Sequence, residues 1–241
     1  MRKIGFGIFV GLILLMTGCL DDDDGYSLGD VWIGFGVIEK SDAESVEIIM
    51  DNGDILVPVA WDHYQSREGG VYNNDVNDQL ENGDRVLVNY TVLDDDGKDP
   101  IETYYVKVNS MQEILMKGVM DITPEIEDSI GNDPIVVQDV WLTDSLLNFK
   151  LQYWGYNQIH FLNLVKQPGE LTEESLPIEL ELRHNANEDD DAIPLTAFVS
   201  FSLNSLRIEG LDSVSFVVTS TDFEGTVHTE EGVFDYSDLE E

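Results

Sequence analysis

The sequence predicts an all-β protein built as a small barrel followed by a β-sandwich, with one short helix at the junction. Three observations lead to that class. Beyond residue 31 the apolar residues recur with period two in short runs, the runs are separated by Gly, Asn, Asp and Pro, and helical periodicity is scarce. A chain of 241 residues, 42% hydrophobic and 10% aromatic, can bury one or two cores, and two domains of about 100 residues each are expected. Charge narrows the function classes. Twelve Lys and Arg stand against 49 Asp and Glu, a formal charge of -37, which repels a phosphate backbone and excludes nucleic acid as a partner.

Residues 1–18 carry Arg2 and Lys3 and then an apolar run, 4–16, too short to span a bilayer comfortably, which reads as a signal peptide. The run ends in Leu15-Met16-Thr17-Gly18-Cys19, which resembles a bacterial lipobox, where the cysteine thiol is acylated and becomes the mature N-terminus. Cys19 is the only cysteine, so an intrachain disulfide and a Cys-based zinc or iron–sulfur cluster are excluded. Residues 19–30 form an acidic, glycine-interrupted tether expected to stay solvated. Its Asp21, Asp22, Asp23 and Asp24 resemble the lipoprotein surface-export signal of the Bacteroides group. The resemblance implies an outer-membrane lipoprotein exposed at the cell surface, the alternative being a plain spacer facing the periplasm.

Residues 31–118 are expected to form the barrel from about five strands. The runs 45–50 and 55–59 flank Asp51-Asn52-Gly53-Asp54, the chemistry of a tight hairpin. Residues 85–93 place Val86, Val88, Tyr90 and Val92 on one face and Leu87, Asn89, Thr91 and Leu93 on the other. A turn rich in Asp and Gly then leads into a strand over 104–110. Residues 119–241 are expected to form the sandwich. Thr123-Pro124-Glu125 opens the one short helix, with Thr123 as N-cap, and Gly131 closes it. Beyond it, alternating runs around Phe149, Leu164, Leu180, Phe201 and Phe216 give about seven strands over 135–236, in two packed antiparallel sheets of immunoglobulin-like type. The acidic break at 188–191 reads as a loop between two of them.

The segments Gly83-Asp84-Arg85-Val86-Leu87-Val88-Asn89-Tyr90, Leu147-Asn148-Phe149, His160-Phe161-Leu162-Asn163-Leu164-Val165 and Leu182-Arg183-His184-Asn185-Ala186, together with the lipobox and acidic tether, resemble the NigD-like lipoproteins of Bacteroides-group bacteria. The resemblance implies an N-terminal OB-type barrel and a C-terminal sandwich. The family takes its name from a member encoded with a bacteriocin, so it also implies an immunity-like role, and it carries over no catalytic residue. OB barrels often bind oligonucleotides, but the acidic charge and the lack of a Lys/Arg stripe interleaved with aromatics contradict that use.

No Gly-x-Ser-x-Gly elbow, His-Glu-x-x-His helix, phosphate loop or Cys-x-x-Cys pair occurs, so no enzyme is expected. With 49 acids, close carboxylate pairs are inevitable and carry no information. Of the histidines, His63, His160, His184 and His228, two fall on strands that can be neighbours in the sandwich. His160 and His184 are read as strand positions with local hydrogen bonds in preference to a transition-metal site. Asp94, Asp95, Asp96 and Asp99 around Gly97 offer hard oxygens suited to weak calcium binding, but a solvated hairpin turn, where Asp and Gly are expected in any case, is the favoured reading; residues 188–191 are a second such group. Trp61, Tyr64 and Tyr72 lie in a polar stretch, 60–79, either as a recognition surface or as a plug for one end of the barrel. Trp141, Tyr153, Trp154 and Tyr156 are expected in core or inter-domain packing. Ser129, Ser145 and Ser213 each follow Asp and precede an apolar residue, which resembles the O-glycosylation acceptor motif of Bacteroides-group bacteria.

The expected function is a non-catalytic cell-envelope lipoprotein acting as a protein-interaction module, with an immunity-like role. Its partners would be the membrane, through the lipid, and an envelope or toxin protein. The alternative is a surface module binding calcium or a glycan through the acidic loops and aromatics.

Overall fold

A computed structural model describes residues 26–40, 45–62, 64–65, 71–72 and 80–239. The signal peptide, Cys19, the Asp21 to Asp24 run and His63 lie outside the described residues. The first sheet contains β1 (Trp32–Lys40), β2 (Val46–Met50), β3 (Ile55–Trp61), β4 (Tyr64–Gln65), β5 (Val71–Tyr72), β6 (Arg85–Asp95) and β7 (Thr103–Glu113). Its order is β3-β2-β1-β6-β7-β4-β5, and an additional parallel pairing of β3 with β7 closes β1, β2, β3, β7 and β6 into a five-stranded OB-like barrel. The alternation expected for β6 holds: Val86, Val88 and Val92 point into a core with Ile38, Ile48, Leu56, Val106 and Val108. The two register shifts between β6 and β7 are bulges that curve the pair as closure requires. The β2–β3 turn also falls where Asn52-Gly53 places it. Gly53 sits at φ 89 and donates its N–H to the Met50 carbonyl at 2.9 Å, a conformation that a side chain would strain.

The second domain contains β8 (Leu115–Gly118), β9 (Met120–Asp121), α1 (Glu127–Ile130), β10 (Val136–Thr143), β11 (Leu146–Gly155), β12 (Phe161–Lys166), β13 (Ile178–Asn185), β14 (Ile193–Ser202), β15 (Ser213–Thr221) and β16 (Val227–Asp235). Two sheets, β10-β11-β14-β8 and β16-β15-β13-β12-β9, face each other across Phe149, Leu151, Leu164, Leu180, Phe201, Phe216 and Phe234. Each side chain so buried contributes about 1.5–3 kcal/mol of transfer free energy.

Four details differ from the sequence reading. The sheets are mixed, because β8 joins β14, β9 joins β12 and β13 joins β15 in parallel. The chain therefore enters the sandwich at β8, a few residues before the boundary expected at 118. The helix spans only Glu127–Ile130 with Ile126 at its N-cap. Thr123 starts the turn with its carbonyl, which accepts the N–H groups of Ile126 and Glu127, while its hydroxyl bonds Glu125 and holds that carboxyl below its ordinary pKa. Gly131 closes the helix at φ 72 as expected. Finally, the end of the tether packs: the Tyr26 hydroxyl donates to the Asp95 carboxylate, and its ring meets Tyr104 edge-on at 6.4 Å. The bond to Asp95, with burial and neighbouring carboxylates, pushes the Tyr26 phenol up to about 12.

Candidate functional site

The motif segments meet in pairs and build two buried polar clusters. The first joins the domains. Arg85 opens β6 on the face opposite Val86 and Val88, so its guanidinium leaves the barrel core and enters the sandwich, where the residue is 1% exposed. It forms a two-pronged pair with Asp51, at 2.5 and 2.7 Å, and donates to Ser200 Oγ at 3.3 Å and Asn148 Oδ1 at 3.0 Å. Asn148 completes the cluster by accepting the Ser200 hydroxyl at 2.6 Å and donating to Thr143 Oγ1 and to the Leu146 and Trp141 carbonyls. The Trp141 indole donates to Asp51, and Phe35 packs against Trp141, Phe198 and the face of Arg85. Such a fork fully surrounded by acceptors fixes orientation as well as charge. Beside it lies an inter-domain cleft of about 390 Å³ lined by Val37, Met50, Asp51, Met116, Leu146 and Asn204.

The second cluster pins one end of the sandwich. His160 Nδ1 lies 2.8 Å from His184 Nε2, His184 Nδ1 lies 3.0 Å from the Pro134 carbonyl, and His160 Nε2 lies 3.1 Å from Asp189 Oδ2. The side chains of His160 and Asp189 are 3% and 2% exposed. A carbonyl and a carboxylate can only accept, so the outer nitrogens of the pair both carry hydrogen. Burial, and then the nearby His160, depress the His184 pKa against the opposing pull of the Pro134 bond. Burial alone would raise Asp189, but the backbone N–H groups of Tyr156 and Asn157 and the His160 ring hold its carboxyl far below the ordinary carboxylate range. Gly155 is required at this point: a Cβ there would lie 2.8 Å from His160 Nε2 and 3.0 Å from Asp189 Oδ2. Tyr153 packs tilted against both rings, at 4.7 and 5.2 Å. Every ring nitrogen of the pair is engaged inside the fold, so the relay stops at a backbone carbonyl instead of a hydroxyl or thiol nucleophile.

The other sequence candidates are placed apart from these clusters. Asp94 accepts the N–H of Asp95, Asp95 bonds Gly97 and Tyr26, Asp96 takes the Lys98 N–H and ion-pairs with its ammonium at 3.2 Å, and Asp99 is exposed. Their oxygens serve a turn, and among the described residues no group of three or more His, Cys, Asp or Glu could hold a metal ion. The acidic break at 188–191 is a loop, but Asp189 turns inward as described. Trp61 packs against the barrel core, and Tyr64 and Tyr72 are register partners in the β4–β5 ladder. Ser129 is exposed in α1 with its hydroxyl donating to the Ile126 carbonyl; Ser145 and Ser213 are half-buried, in the β10–β11 turn and at the start of β15. Trp141 and Tyr153 are packed as expected, whereas Tyr156 is 65% exposed. Sequence reasoning missed Arg85 and Asp189 as organising residues. The available signal was a lone cation opening a strand apolar on both faces, and a single acid of a run lying between two histidine strands.

A closed OB-like barrel locked to a mixed-sheet β-sandwich by a buried guanidinium defines a two-domain all-β protein. Residues 118–234 match the NigD-like C-terminal beta sandwich domain, which places the second domain in the NigD-like family. Among solved structures it is similar to a Parabacteroides distasonis protein described provisionally as toxin-related, with 27% identity and a TM-score of 0.67 over 87% of this chain and 95% of that one. It is also similar to a NigD-like immunity protein from Bacteroides caccae, with 21% identity and a TM-score of 0.60 over 87% and 100% of the two chains. A Bacteroides fragilis protein described provisionally as a lipoprotein shares the fold at 11% identity and a TM-score of 0.58 over 88% and 100%. No curated protein sequence matches this one.

Proposed function

We propose that this protein is a non-catalytic cell-envelope lipoprotein that works as a protein-interaction module, with an immunity-like role against a toxin or bacteriocin. The observation that carries the reading is the use to which the most chemically capable side chains are put. Arg85 is wholly taken up in fixing the barrel on the sandwich, and His160, His184 and Asp189 in fixing a loop. Both arrangements preorganise a surface, which lowers the entropy lost on association. The similarity to proteins described as toxin-related and as NigD-like immunity protein supports the same reading. Acylation at Cys19 and export directed by Asp21, Asp22, Asp23 and Asp24 would anchor that surface outside the outer membrane. The calcium or glycan alternative has less to rest on, because Lys98 sits among the Asp94 to Asp99 carboxylates and Trp61 faces the barrel core.

The test is crosslinking of the lipidated chain in intact cells followed by affinity capture, with protease shaving of the same cells. The expected outcome is one stoichiometric envelope or toxin partner, with the protein shaved from outside. Capture of none by a surface-exposed protein would overturn the reading.

A further inference from the structure

The Asp189 cluster holds a loop whose tip is apolar. Between β11 and β12 the chain exposes Tyr156 and Ile159, the latter 72% exposed, and Phe161 follows at the first position of β12. Ile193, paired with Gly155, and Phe223, which meets Trp154 edge-on at 4.7 Å, expose further apolar surface at the same end of the sandwich. Large exposed aromatics and aliphatics on a mobile loop would be unremarked. Here the Tyr156 and Asn157 N–H groups are fastened to a buried carboxylate and His160 is bonded on both ring nitrogens, so the side chains project from a fixed backbone. Fixed aromatic anchors beside a polar rim are the makings of an interface.

Charge says what covers it. Residues 151–165 and 184–206 contain four acids and no Lys or Arg. Glu188, Asp190 and Asp191 are exposed on the loop that carries Asp189, one residue or two from its bonds to Tyr156. A hollow of about 430 Å³ next to Phe223 is lined by Asp128, Asp133, Glu188 and Asp191. An acidic rim of this kind repels an anionic surface and attracts a cationic one.

We propose that this end of the sandwich is the docking surface for a cationic protein segment, whose apolar side chains cover Tyr156, Ile159 and Phe161 while its Lys or Arg side chains meet Glu188, Asp190 and Asp191. The assignment rests on the interaction-module reading and names where, and for what chemistry, the module binds.

The probe is a synthetic peptide of alternating Lys and apolar residues, Leu and Phe, with a Glu-for-Lys counterpart of the same apolar content, titrated against the full chain. Ile159→Asp is the decisive variant, because it removes the apolar anchor while making the protein more acidic. Val59→Asp, on the exposed face of β3, adds the same charge to the barrel. The expected result is binding of the Lys peptide alone, weakened roughly tenfold by Ile159→Asp and unchanged by Val59→Asp. Equal binding by all three proteins would mean general attraction to an acidic chain and overturn the proposal. So would binding to zwitterionic phosphatidylcholine vesicles that Ile159→Asp abolishes, which would make the tip a membrane contact. In cells, an Ile159→Asp protein that still captures the partner would overturn this location and leave the module standing. Intact peptide binding with no cellular partner would overturn the module reading alone.

Discussion

The two polar clusters solve the same problem with different chemistry. At the domain junction a guanidinium, which keeps its charge at any pH a protein survives, fits between Asp51, Asn148 and Ser200. At the far end of the sandwich two imidazoles and a carboxylate hold a loop, and groups of this kind change charge within the range of pH that a folded protein meets. The junction lock is therefore permanent and the loop lock titratable. A protein that only needed a rigid body would gain nothing from the second kind. A protein that displays a binding tip gains a fixed tip from it.

The largest effect expected is at the junction. Arg85→Met leaves the buried Asn148 and the half-buried Asp51 without their shared donor, and the cost should be about 3 kcal/mol. The parent protein is expected to unfold in a single urea transition, which in the variant should split into separate barrel and sandwich transitions, since the fork is the main polar tie between them. A variant that still unfolds in one step would mean that apolar contacts such as Phe35 on Phe198 are enough. Next comes the loop lock. His184→Ala removes the middle of the relay and should cost about 1–3 kcal/mol, with faster amide exchange at Tyr156 and Asn157 and unchanged exchange in the barrel.

The pH response sharpens the contrast further. His184 and Asp189 both have folded pKa values below their unfolded ones, so the stability they contribute is present above the unfolded values and is lost as pH falls through the folded ones. The sandwich should weaken first below about pH 6.5 and again below about pH 3.9, and His184→Ala should remove the first step. Tyr26 on the barrel runs the other way. Its folded pKa of about 12 lies above the ordinary 10.0, so its tie to Asp95 is intact below the ordinary value and is lost as pH rises through the folded one. Ultraviolet titration of tyrosinate should place one late-ionising phenol there, absent in Tyr26→Phe. This last effect is the smallest, because the contact is at the surface.

The fold was legible where local chemistry decides it. Period-two alternation marked β6, β11, β13 and β15, and Asn52-Gly53 and Gly131 marked turns whose backbones demand such residues. What local pattern does not carry is which strand lies beside which. The parallel additions of β8 and β9 depend on where the barrel releases the chain, and the helix start at Thr123 failed because Glu125 competes for its hydroxyl. The same limit governs the clusters. His160 and His184 were legible as neighbours through strand alternation, while Asp189 was hidden among four consecutive acids, and only its reach to Gly155 and Tyr156 distinguishes it. Arg85 and Asn148 lie 63 positions apart in the chain, a distance over which no spacing rule reports contact.

The central claim is that the histidine pair is a lock inside a recognition surface, closed to solvent and substrate. It is tested most directly by nitrogen-detected NMR of the imidazole rings in the full chain, with exposed His228, bonded to Asp222 at 2.6 Å, as the internal standard. The account predicts hydrogen on the His184 nitrogen facing Pro134 and on the His160 nitrogen facing Asp189, both exchanging with water far more slowly than the His228 ring. Ring hydrogens of His160 and His184 that exchange as fast as those of His228 would contradict it, and would mark an open site able to move protons to a bound substrate.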